Sequence, residues 1–250
     1  MAAAETRPRK RGVVLPLLFL GLALAILVAL GTWQLERKAW KEALVAELDG
    51  KLAASAIDLP PRERWKQLDQ AKDEFRHVAF PAEFLPGEEA LIYTSGSSLR
   101  PDVTGPGYWV FSPARLTGGS IVLVNRGFVP EGRQDPKTRP QGQPSGVVAV
   151  VGALRWPEQR GSFTPPDEPE KGLWFARDPA GMAKAKRWDA VAPFYVDQEA
   201  PPAPGSLPKV GPLKPALPNR HLEYAVTWYG LALVILIAAL FFVRARRREV

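Results

Sequence analysis

The stretch VVLPLLFLGLALAILVALGT, residues 13–32, contains no charged side chain, and neither does YAVTWYGLALVILIAALFFV, residues 224–243. As a helix rising 1.5 Å per residue, each run is about 30 Å long, the thickness of a bilayer's hydrocarbon core. Helices of soluble proteins carry a polar face, and these two have none. A core helix of a large soluble protein reads the same way, but in 250 residues two of them leave too little protein to cover them. The runs therefore predict two transmembrane helices. The chain's net charge of +7 is concentrated outside the domain between them. Arg7, Arg9, Lys10 and Arg11 precede the first run, and Arg244, Arg246, Arg247 and Arg248 follow the second, whereas residues 33–223 carry only +1. Short basic flanks stay on the cytoplasmic side, so both termini are expected inside and residues 33–223 outside. A nearly neutral outer domain lacks the electrostatic footprint of a nucleic-acid binder. The first run is longer than a signal-peptide core and has no small-x-small cleavage site before Trp33, which predicts an uncleaved anchor.

The intervening domain changes period along its length. Gln34 to Lys51 has no proline and places Trp40, Leu44 and Leu48 four apart, extending the first helix beyond the bilayer. Pro61 to Asp73 reads as a short helix with proline in its first turn. From Arg76 the pattern alternates. Strands are expected at residues 76–82, 91–94, 108–116, 121–129, 147–154, 173–177 and 194–197, with a hairpin at Thr117-Gly118-Gly119-Ser120. Asp178-Pro179 suits a helix N-cap and first position, predicting a helix to Ala190. Pro130 to Pro144 is a polar loop, and Pro201 to Pro218, with seven prolines, reads as a semi-rigid return to the membrane. The predicted class is membrane α+β: two transmembrane helices flanking a mainly antiparallel β domain, curled or closed, with a few short helices. Its segments are 1–12 basic tail, 13–32 first span, 33–223 outer domain (helical extension 34–51, β-rich 76–197, Pro-rich return 201–218), 224–243 second span and 244–250 basic tail.

The sequence is poor in enzyme chemistry. With no cysteine there is no disulfide, no C-x-x-C pair and no thiolate metal site. H-E-x-x-H, G-x-S-x-G, Walker and G-x-G-x-x-G motifs are missing. Ser95-Gly96-Ser97-Ser98 resembles a nucleophile only in composition. Of the two histidines, His77 reads as an ordinary strand residue. His221 precedes the second run and at helical spacing shares a face with Tyr224, Ala225 and Trp228. Two readings stand side by side: an interfacial anchor within an aromatic belt of Tyr224, Trp228 and Tyr229, or a functional ionisable group at the membrane boundary. Trp33, Gln34 and Arg37 lie at the same depth on the first helix. An imidazole, Arg37, Arg220 and aromatic rings at a lipid boundary suit an amphiphilic planar ligand with a metal centre and carboxylates, and heme fits that description. Snorkelling is the plainer account of both arginines.

Four blocks carry a resemblance: Gly31-Thr32-Trp33-Gln34-Leu35-Glu36-Arg37; Gly105-Pro106-Gly107 with Val124-Asn125-Arg126-Gly127-Phe128-Val129-Pro130; Gly152-Ala153-Leu154-Arg155 through Phe163-Thr164-Pro165; and Asn219-Arg220-His221-Leu222-Glu223-Tyr224 through Gly230. In order and topology they resemble the surfeit-locus-one family of cytochrome c oxidase assembly proteins over nearly the whole chain. One departure is Pro166-Asp167, where the family block continues with Asn-Asp. The resemblance implies a non-enzymatic assembly factor that binds heme a and helps place it in the catalytic subunit of the oxidase. It implies His221 as the axial ligand of the heme iron, surrounded by Trp33, Gln34, Arg37, Arg220 and Tyr224. The partners implied are that catalytic subunit, the heme a synthase and the lipid bilayer, with no nucleic acid. The short, serine-poor N-terminal tail fits a bacterial inner membrane, with the β domain in the periplasm. Rival readings are a structural assembly partner without heme and a membrane-anchored sensor, the latter opposed by tails too short for an output domain.

Overall fold

A computed structural model describes residues 14–215 and 217–248; the basic residues before Val14 lie outside them. The chain divides into two units, residues 1–45 with 218–250, and residues 46–217. In the first, helix α1 (Val14–Ala53) begins and helix α4 (His221–Arg248) lies wholly. Both are long and apolar enough to cross a membrane, and fit a membrane protein. α4 begins at His221, so the histidine sits in its first turn rather than ahead of it.

The second unit is a β domain. In chain order it holds β1 (Ile57–Asp58), α2 (Gln70–Asp73), β2 (His77–Phe84), β3 (Ala90–Gly96), β4 (Thr104–Arg115), β5 (Ile121–Pro130), β6 (Val147–Arg155), β7 (Leu173–Trp174), α3 (Pro179–Lys186) and β8 (Val191–Ala200). Five strands close on themselves: β2 pairs with β4, β4 with β5, β5 with β8, β8 with β6, and β6 with β2. All these pairs are antiparallel except β5 with β8. This ring is a Greek-key barrel, with β1, β3 and β7 added at its edges. The expected mainly antiparallel domain with few helices is therefore present.

Strand alternation sends one set of side chains inward. Phe80, Val124, Ala114, Leu154 and Phe194 come from all five ring strands and pack in one cluster, the barrel interior. Trp65 closes against it, its ring 5.5 Å from that of Phe194 at 78°. The opposite faces of β4, β5 and β8 do not meet water: Phe111, Leu123 and Tyr195 pack under Trp174 and under Met182 of α3. Covered on both sides, Ile121 to Val129 is buried throughout, which explains why that stretch reads as a continuous apolar run.

Several boundaries differ from expectation for local reasons. The helix expected over Pro61 to Asp73 is a 3₁₀ segment, Arg62–Gln67, followed by the single turn α2. Asp69 breaks it: in extended geometry its side chain accepts from the backbone N–H groups of Ala71 and Lys72, starting a new turn. α3 stops at Lys186, before Ala190, because Arg187 takes the left-handed conformation, φ 59°. The strands expected at 173–177 and 194–197 are two and ten residues long, and β structure extends beyond 76–197 to Ile57 and Ala200. The proline-rich return is pinned to the barrel, since Lys209 and Phe128 exchange backbone hydrogen bonds of 2.7 and 3.1 Å. Gly127 makes that approach possible: with φ 113°, a Cβ there would lie 2.4 Å from the Lys209 carbonyl oxygen.

Phe194→Ala is expected to cost the domain about 3–5 kcal/mol, the usual penalty for emptying a buried aromatic site. Urea unfolding of the detergent-solubilised chain checks this by tryptophan fluorescence, since Trp65 and Trp156 both pack on that ring.

Candidate functional site

The first unit brings together side chains far apart in sequence. Gln34 is 9% exposed on α1, and its Oε1 lies 2.7 Å from Nδ1 of His221 on α4. An amide oxygen only accepts, so Nδ1 carries the proton and donates it. In the neutral ring that leaves Nε2 with the lone pair. A histidine held this way by its far nitrogen is the usual arrangement of an imidazole that binds a metal. Nearby, the Tyr229 hydroxyl lies 3.0 Å from Thr32 Oγ1, which donates its own proton to the Val28 carbonyl. The tyrosine is therefore the donor in that pair.

Gly31 sets how closely these helices pack. A Cβ at this position would lie 2.9 Å from the Tyr229 ring, closer than real Cβ contacts allow. Ala225 and Ala232 are likewise buried small residues on α4. Small side chains let transmembrane helices approach until dispersion and hydrogen bonding hold them. Lys41 adds a hydrogen bond to the Pro218 carbonyl at the start of the return into α4.

The six sequence candidates therefore separate. Gln34 and His221 meet. Arg37 stacks on Trp40, its guanidinium carbon 4.4 Å from the ring centroid. Trp33 and Tyr224 point outward, 50% and 54% exposed, and Arg220 is exposed. Sequence reading missed two features. The Thr32–Tyr229 link shows only as a hydroxyl pair once the helices are placed. The indole N–H of Trp228 is buried with no hydrogen-bond partner among the described residues, although Trp228 was visible as part of the aromatic face. His77 behaves structurally, with Nδ1 3.1 Å from the Ala54 carbonyl and Nε2 3.1 Å from Glu199. Among the described residues no group of three His, Cys, Asp or Glu side chains is placed to hold a metal ion.

A family model described as SURF1 family matches residues 21–233. The chain is 35% identical over 212 residues to Surfeit locus protein 1 of Rattus norvegicus, covering 81% of this chain and 67% of that protein. With Surfeit locus protein 1 of Homo sapiens it shares 33% over 214 residues, 81% of this chain and 69% of the relative. A SURF1-like protein of Monosiga brevicollis matches at 35% over 217 residues, 83% and 79%.

Gly31→Leu is expected to push α1 and α4 apart. The chain has no native cysteine, so spin labels on cysteines introduced at the exposed positions Leu35 and Leu222 report the separation cleanly. Double electron–electron resonance should give a longer and broader distance distribution than the unsubstituted chain.

Proposed function

The chain belongs to the SURF1 family, and from that premise we propose that it is a non-enzymatic assembly factor for cytochrome c oxidase, which holds heme a at the outer membrane interface and assists its insertion into the catalytic subunit. The observation that carries this reading is the 2.7 Å hydrogen bond from His221 Nδ1 to Gln34 Oε1. It orients one imidazole with Nε2 available at the outer ends of two apolar helices. The donor set fits a heme: a porphyrin supplies four of the iron's ligands itself, so one histidine suffices where a bare metal ion would need several.

In this proposal His221 would hold the heme iron through Nε2, and Gln34 would keep the imidazole in the tautomer that leaves that nitrogen unprotonated. Gly31 and Ala225 keep the helices close enough for that pair to form. The unpaired Trp228 indole N–H supplies a donor for an oxygen of the ligand, a strong inducement where no water competes. Trp33 and Tyr224, both outward-facing, offer aromatic surface; Arg37 and Arg220 are cations available to carboxylates at the boundary. A bound heme would supply an iron with an open position for His221, and the chain's own residues would hold and release it. The basic residues at the C-terminal end of α4, Arg244 and Arg246 to Arg248, support a topology with both termini in the cytoplasm. We assign the β domain to the periplasm of a bacterial inner membrane, facing the oxidase subunit and the heme a synthase.

The test is the visible spectrum of the chain purified from cells that make heme a. The expected result is a heme a Soret band, lost in His221→Ala. Gln34→Leu should keep heme but bind it about 10–100-fold more weakly, the usual effect of removing a partner behind a metal-bound histidine. A chain that purifies without heme while still supporting oxidase assembly would favour a purely structural partner.

A further inference from the structure

A second polar centre lies inside the β domain. A cleft of about 390 Å³ opens between the end of β2, at Phe84 and Leu85, and the loop after β5, at Pro136, Pro140 and Pro144. Its size falls in the range of small-molecule sites. Arg126 lines it, 5% exposed. Nη1 of Arg126 donates to Glu89 Oε1 at 3.2 Å, and Nη2 donates to the Gly142 carbonyl. Glu89 is mostly taken by a second buried guanidinium: Arg139, 3% exposed, donates to Oε1 at 3.0 Å and also to Oε2.

One carboxylate thus serves two buried guanidiniums, and the cluster keeps an uncompensated positive charge. Burial is the main influence on Arg126 and pulls its pKa down to about 10; Glu89 opposes this and the neighbouring Arg139 adds to it. The ring of Phe84 lies 5.4 Å from the guanidinium and screens it from water. Two further polar atoms of residues lining the cleft are buried without a partner among the described residues, Oγ of Ser112 and Nε2 of Gln143. Ser112 is only 2% exposed. Both atoms can donate. Buried donors without acceptors are rare in folded proteins and call for an explanation, either a water or a ligand. The rim also carries Glu88, whose carboxylate accepts from the neutral Trp188 indole at 3.3 Å, and Lys137, and the charges of these two offset each other.

We infer that this cleft binds a small carboxylic acid with an apolar body, its carboxylate against Arg126, Ser112 and Gln143 and its body along Phe84 and the prolines. The carboxylate supplies both the missing negative charge and the missing acceptors, and the apolar wall selects against a bare ion. The site is independent of the heme reading and stands or falls separately.

The experiment titrates the full chain in lipid nanodiscs with 4-phenylbutyrate, with uncharged 4-phenylbutan-1-ol and with inorganic phosphate, using calorimetry. Phenylbutyrate should bind one per chain, with the alcohol and phosphate each at least tenfold weaker. Ser112→Ala and Gln143→Leu, checked for folding by circular dichroism, should each weaken phenylbutyrate about tenfold, the worth of a hydrogen bond to a charged group. Failure of the acid to bind would leave ordered water as the occupant and overturn the inference. Equal binding of acid and alcohol, equal binding of acid and phosphate, or acid binding unmoved in both variants would overturn it as well.

Discussion

A polar side chain beside a hydrocarbon layer has no water to satisfy it, and the arrangement of α1 and α4 follows from that constraint. Three polar side chains of the pair are answered by another part of the pair. His221 donates to Gln34, Tyr229 to Thr32, and Thr32 back to its own helix at Val28. These bonds form only if the helices come close, which is why a glycine stands where the Tyr229 ring packs and alanines are buried on α4. The functional proposal rests on the same constraint, because the pairing that satisfies the histidine also orients it. The indole N–H of Trp228 is buried without a hydrogen-bond partner among the described residues.

The β domain solves a different problem. A sheet leaves two edges unpaired, and closing five strands into a barrel removes them from the ring. The closure is made by β5 and β8 running parallel, where Asn125 donates to Asp197 at 2.7 Å across the buried pair. Arg155 donates to the other oxygen of Asp197 at 3.0 Å and to Glu74 at 3.3 Å. Burial disfavours the cation at Arg155, but Tyr195, Asp197 and Glu74 outweigh it and hold the guanidinium above its ordinary range. Such a buried network costs heavily if one member is removed, and here it joins β5, β6, β8 and the segment before β2. The Arg126–Glu89–Arg139 cluster differs in kind: its charges do not cancel, and it borders an open cleft.

Much of the architecture was legible from short-range patterns. Two uncharged runs announced the apolar helices, and alternation announced most strands. The misses share a cause. The break at Asp69 and the stop at Arg187 depend on a capping bond and one backbone conformation, which period and composition do not record. The length of β8 was underestimated because Ala192 and Pro193 weaken its β signal, and pairing with β5 and β6 decides its extent. At the candidate site, residue types marked the neighbourhood well but not the pairing within it. Trp33, Arg37, Arg220 and Tyr224 lie on the right segments, yet face outward or stack locally.

By itself, the sequence determined that two helices are apolar enough to span a membrane and that the domain between them is β-rich, and its 250 residues hold two histidines and no cysteine. Those conclusions follow from one-dimensional quantities: run length, residue type and period. Only the tertiary structure decided that the sheet closes into a ring through a parallel pair, that Gln34 rather than an arginine meets His221, and that two arginines share one buried glutamate. Each of these joins residues tens to nearly two hundred positions apart. Such distances are set by how strands and helices pack, and no local pattern in the chain carries them.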